Sequence, residues 1–539
     1  MGNLDSSVRA LVDPAGLVAV AGRGWSLDWW IGAEDRWHVP AREVAVRQAL
    51  VGSSPVVETR VRVPSGDAVQ RVYGALGPTG EDVLVVEVHN DTKVPFAVAL
   101  AIRPYDLAGD GGIAVVELDG ATVRVDGEPA VVLPRSPGRI ALSNAEGGDA
   151  ADIVFAGDAE PVRADAARCP DGLANGAFLF PLAHTATLRV VLPLSPGSSR
   201  DPGSLPSADQ VASGWGVHSR RAARFEVPNR KLREAVHAST RFLLLGAPTA
   251  SGPISAASRR LDPGQNSSRG QGEVAVALDL MGLADEAAIS LLADPGGTLR
   301  TERPGGALHA LGWHWALTRD VDAAKAAVPL VAALVPALAR STDPTDAARG
   351  RVALPLVADL LDGAGEARGA ADVRAIADPA AAAVPASESV IEELLASASP
   401  TWAWRTGDDG HDLRRNAQLL GAVRHLLVQE VDGGLALSPV VPEAWLGQGW
   451  ELHDAPTAEG RLSYAVRWHG DRPALLWELD PHPGRPPARL TVPGLDADWS
   501  TTEARGEALL APVTVPERAP QRRGLTIPVT IEPMRRRDP

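Results

Sequence analysis

A chain of 539 residues, 45% hydrophobic and 22% charged, is too long for one ordinary domain and has the composition of a globular protein with large cores. Its formal charge of -15 and pI near 5.3 argue against the basic face that nucleic acid requires, so no DNA or RNA partner is expected. The single cysteine, Cys169, excludes an internal disulfide framework and a thiol-rich metal site.

Met1 to Ala10 lacks a basic stretch followed by an apolar one, so no signal peptide is expected. No uninterrupted apolar run has bilayer-spanning length. The expectation is a cytoplasmic protein with no membrane contact.

The first segment reads as β. Val57 to Val63 alternates apolar and polar residues, as a half-buried strand does. Val83–Val88 and Phe96–Ile102 are more continuously apolar, and Thr187–Leu192 closes the series. Turn residues punctuate them at Pro64 to Asp67, Asn90-Asp91 and Gly109 to Gly112. Many short strands with such turns predict a sandwich.

A Ser/Pro/Gly linker spans Ser195 to Ser204, and from about Pro228 the period becomes helical, as in Leu232, Ala235, Val236, Thr240 and Leu243. Helices are predicted over 273–282, 285–292, 307–317, 323–340, 352–361, 387–396 and 412–429. Asp320 is placed to cap one start and Gly282 to close one end. After Glu430 strands return, at Leu462–Trp468, Ala474–Leu479 and Leu490–Val492. The predicted domains are 1–210 (N-terminal β-sandwich), 211–430 (helical hairpins) and 431–539 (C-terminal β domain).

Tryptophan is the unusual signal, with 14 Trp beside 3 Tyr and 6 Phe. Sugar rings stack their C–H faces on indole, and indole N–H groups and carboxylates bond the hydroxyls. Large aromatic residues also fill cores. The pairs Trp313/Trp315 and Trp402/Trp404, expected near helix starts, are the candidate sugar-binding residues, together with His411. The stretch Gly407-Asp408-Asp409-Gly410-His411-Asp412 packs three acids and a histidine between helices. Asp408 or Asp409 is a candidate general base, and Asp409 or Asp412 also reads as a helix cap. Neighbours in sequence do not serve as both halves of a hydrolytic pair, whose carboxyls stand roughly 6–10 Å apart. Glu302, before the Trp313 helix, is the candidate acid, with pairing to Arg303 as the bland alternative. Glu273 reads as a first-turn helix acid. The 12 histidines are scattered without ligand spacing, and no dinucleotide motif follows a strand, so neither metal nor cofactor is expected.

From Trp402 onward, Gly407 to Asp412, Leu426 to Glu430, Val441-Pro442-Glu443-Ala444-Trp445-Leu446 and Ala455 to Gly460 resemble the end of six-hairpin glycosidases, with the glycogen-debranching, glucoamylase-like and rhamnosidase-like layout. Gly24 to Trp37 resembles their N-terminal sandwich. The resemblance implies an N-terminal β-sandwich, a central (α/α) toroid of helical hairpins and a C-terminal β-sandwich, with an oligosaccharide or polysaccharide as partner. Two departures stand out. Glu302-Arg303-Pro304-Gly305-Gly306 replaces an acid-bearing Trp-Asp-x-Asn-Gly-like stretch, and a helical body of about 200 residues is short for twelve helices and their loops. The chain therefore reads either as a glycosidase-like enzyme hydrolysing by inversion, or as a non-catalytic member that binds glycan or a protein partner.

Overall fold

A computed structural model describes residues 1–4, 6–106, 111–162, 166–195, 202–248, 254–261, 268–292, 303–377, 388–406 and 410–515. Two sheets, of eight and nine strands, fill the first third. The strands Ser26–Gly32, Phe96–Arg103 and Asn175–Leu182 lie side by side in the eight-stranded sheet, with Trp29 opposite Leu100 and Leu100 opposite Phe178. In the other, Gly66–Leu76, Asp82–Thr92 and Thr187–Pro193 are neighbours. Residues of both sheets share one buried core that includes Trp29, Leu100, Phe178, Val72, Val86 and Val190, so the sheets lie face to face. Successive side chains on a strand point to opposite faces. Trp29 accordingly enters that core, while Trp30 packs on the outside beneath the short helix α1 (Ala150–Ala156).

The helical region begins with α2 (Ala208–His218), whose start is fixed by a reciprocal Ser207/Gln210 capping box. It continues through α3 (Arg230–Gly246), α4 (Ala256–Arg260), α5 (Ser268–Leu280), α6 (Ala284–Leu292), α7 (Pro304–Thr318), α8 (Val321–Ala339), α9 (Pro344–Gly363), α10 (Ala367–Ile376), α11 (Glu388–Ser397) and α12 (Leu413–Leu427). As expected, Asp320 caps α8 through its carboxylate and Gly282 follows α5 in a left-handed conformation, φ 75°. Helix α9 starts eight residues earlier than its periodicity suggests. Asp343 accepts from the amides of Thr345 and Asp346, and Pro344 takes the first position, where its missing N–H costs nothing.

Glycines let α5, α7 and α9 approach closely. A Cβ on Gly272 would meet the carbonyl of Gly306 at 2.9 Å, and one on Gly305 would overlap the backbone of Asp346. Asp346, buried on α9, accepts from the Gly305 and Gly306 amides at 2.9 Å each and so caps α7 from a neighbouring helix. Helix α8 is 19 residues long with a mean hydropathy of 1.7, enough by length and composition to cross a membrane. Asp322 and Lys325 interrupt it near its start, so it is not an uninterrupted apolar run of that length. Its buried face, Ala324, Ala327, Val331, Leu334 and Leu338, belongs to the core formed with α7 and α9.

The last third holds a five-stranded and a four-stranded sheet. The short strand Arg224–Glu226, which precedes the helices, pairs with Trp450–Thr457 in the five-stranded sheet, so the chain visits this end before entering the helical region. One core joins α3, α5 and α12 to both sheets. Buried Arg424 of α12 fastens the junction: it pairs with Glu430 at 2.6 and 2.8 Å and donates to the carbonyls of Val428 and Pro456.

Candidate functional site

The fourteen tryptophans are all buried or half-buried, and Trp313 alone among them belongs to none of the hydrophobic cores formed by the described residues. Trp315, two residues on, is 8% exposed and lies in the α7–α9 core, with the Arg319 guanidinium over its ring at 5.3 Å. Residues i and i+2 on a helix point about 200° apart, so the pair splits between core and non-core faces. Both lie near the end of α7 rather than its start. Trp404 is 3% exposed and donates its indole N–H to Leu394 O and Ser397 Oγ. Half-buried Trp402 packs against the same core, with φ 55°.

Trp313 leads to a polar cluster on facing sides of α5, α7, α9 and α12. Its indole N–H donates to His309 Nε2 at 3.1 Å. That bond leaves the His309 proton on Nδ1. Burial, with Arg349 close by, pushes the imidazole down to about 4, so it is neutral at pH 7. Glu273 of α5 accepts from Arg349 of α9 at 2.8 Å and from Gln418 of α12 at 3.1 Å. It lies in the second turn of α5, not the first. On α12 the half-buried residues Arg414, Gln418, Gly421 and His425 fall at helical spacing along one face.

Arg414 sits between two carboxylates. Its Nε is 4.0 Å from Glu273 Oε2 and its Nη2 is 3.7 Å from Asp412 Oδ2. Both distances exceed a hydrogen bond, and the buried Nε has no partner. Asp412 stands at the start of α12 but makes no side-chain cap, and its buried Oδ1 is unsatisfied. The expected capping role is therefore absent, because the carboxylate turns toward Arg414 and Arg415 instead.

Glu302, Asp408 and Asp409 lie outside the described residues. Arg303, the alternative partner for Glu302, pairs with Asp343 at 2.7 Å. His411 faces away from the cluster residues named above, with Nε2 on Asn416 Oδ1 at 2.9 Å and its ring edge-on to Phe242. Between α5 and α7, Asp279 and His314 form a buried pair at 2.8 Å. Burial raises Asp279 to about 6, and the carboxylate raises His314 against the opposing effect of its own burial. Among the described residues no group of three His, Cys, Asp or Glu could hold a metal ion.

Arg349, Arg414 and Gln418 escaped the sequence reading. The polar stripe on α12 is the signal that would have found Arg414 and Gln418.

No protein-family model matches the chain, and no curated protein sequence does. Among solved structures it is similar to "Putative kojibiose phosphorylase from human microbiome", with 8% sequence identity, a TM-score of 0.47 and 95% of each chain covered. At that score and identity the likeness is a loose one.

Proposed function

We propose that the helical region is an incomplete (α/α) toroid and that its inward polar face, on α5, α7, α9 and α12, binds an oligosaccharide. The observation that carries this reading is Trp313, the tryptophan left out of every core, on a face with Glu273, Arg349, Gln418 and Arg414. An indole supplies an apolar platform for a sugar's C–H face, and charged hydrogen-bonding groups around it match hydroxyls. Glu273 already receives Arg349 and Gln418, which suits a fixed hydroxyl acceptor.

A second reading, hydrolysis with inversion, is favoured by the two carboxylates flanking Arg414. Glu273 or Asp412, each a carboxylate beside an arginine, would activate water, and Glu302, the acid expected from the sequence, would protonate the leaving oxygen.

An assay on aryl glycosides and α-glucans, run beside retention on glycan affinity gels, tests both. Retention of a glycan without turnover supports binding alone. Turnover lost in Glu273→Gln and Asp412→Asn, with the product anomer inverted, supports hydrolysis. No glycan retained and no turnover contradicts both.

A further inference from the structure

A separate cavity of about 130 Å³ lies where the N-terminal sheets meet the helical region. Leu11, Val12, Val57, Phe242, Leu245 and Leu413 supply its apolar walls. It shares no residue with the polar face described above, so it stands or falls independently of the carbohydrate reading.

Arg9 lines this cavity and is 7% exposed. Its Nε donates to Leu245 O at 2.7 Å and its Nη1 to Ser6 O at 2.5 Å, while Nη2 is buried with no partner among the described residues. Leaving a guanidinium N–H₂ dry and unmatched is costly. Among the described residues, no carboxylate lines the cavity.

The wall also carries His411. Asn416 Nδ2 donates to Ser239 Oγ and Trp402 O, so its oxygen is the acceptor and His411 Nε2 carries the proton. Nδ1 is then the acceptor nitrogen of the ring. Burial pushes this histidine down to about 4, so it adds no charge near neutrality.

We propose that this interdomain cavity binds a small molecule with a one-ring or branched apolar body and a single carboxylate, whose oxygen the unmatched Arg9 Nη2 receives. Volume sets the size: the cavity is slightly smaller than the roughly 150 Å³ that accepts benzene, so the enclosed apolar body is one ring at most. Charge sets the head group: Asp82 acts on Arg9 from outside the cavity lining, and the unmatched Nη2 selects an anion over a neutral analogue.

Titration calorimetry on the full chain tests this with benzoate and benzyl alcohol as probes. The expected result is saturable benzoate binding, with benzyl alcohol weaker by about tenfold or more. Ala403→Leu, which fills the cavity from a half-buried position, abolishes benzoate binding while the circular dichroism and melting temperature stay unchanged. Arg9→Met removes the preference for benzoate, and if that variant does not fold, Ala403→Leu still decides. Absence of saturable benzoate binding to the wild type, as for a cavity holding only water, overturns the proposal. Equal affinity for the two probes, or binding undiminished in Ala403→Leu, overturns it as well.

Discussion

Glu273 on α5 and Arg349 on α9 meet at 2.8 Å across a half-buried face, and Gln418 of α12 closes on the other carboxylate oxygen. The carboxylate thus holds three helices at one point. Replacing Arg349 by Met would remove the hydrogen-bonded arginine and leave Glu273 with Arg414 at 4.0 Å. We expect glycan affinity to fall about tenfold or more, with a stability loss of about 1–3 kcal/mol. Calorimetry and thermal melting separate the two effects.

Trp313 and Trp315 should respond oppositely to truncation. Trp315→Ala empties a packed core position and is expected to cost about 3–5 kcal/mol. Trp313→Ala removes a ring outside the hydrophobic cores and is expected to cost under about 1 kcal/mol while abolishing glycan retention. Chemical denaturation of the two variants checks the first half, and an affinity gel checks the second.

Arg424, fully buried, is the bond between α12 and the C-terminal sheets. Arg424→Met leaves Glu430 and two carbonyls without their donor, with an expected loss of about 3–5 kcal/mol. Glu430→Gln should cost less, because an amide still accepts from the arginine. The order of the two denaturation midpoints is the check.

His309 and His411 both lie at about 4 in the folded chain, lowered chiefly by burial. Their folded values are below the unfolded one, so the unfolded chain takes up more protons between about pH 6.5 and 4. Stability contributed by the neutral imidazoles is therefore present above pH 6.5 and is lost as pH falls through that window. Asp279 acts in the opposite sense: its folded value is raised to about 6, so its contribution is lost as pH rises from 4 to 6. Comparing melting temperatures of wild type and His411→Gln across pH 4–7 isolates one group. The variant should show the shallower acid loss, and parallel curves would contradict the assignment.

Much of the fold was legible because it rests on period. The alternation at 57–63 and the apolar run 96–102 became strands Val56–Val63 and Phe96–Arg103, and the helical spacing after Pro228 became α3. Elements set by partners were not legible. The three-residue strand Arg224–Glu226 exists through its pairing with Trp450–Thr457. The helix α10, rich in Ala and short of large apolar residues, buries only Ala370 and Val373. At the site, the Trp313/Trp315 pair was visible, but which ring faces the core depends on the neighbouring helices. Glu273 was visible as an acid, and its importance depends on Arg349 and Gln418, 76 and 145 residues away. Asp412 read as a cap because its position is that of one, and only tertiary geometry turns it toward Arg414.

The central claim is that the Trp313 face holds a carbohydrate. Its most direct test is a glycan array probed with wild type and Trp313→Ala, each first shown to melt at the same temperature. The account predicts a defined set of glycans bound by the wild type and lost by the variant. An array with no glycan bound, or one bound equally by both proteins, would contradict it.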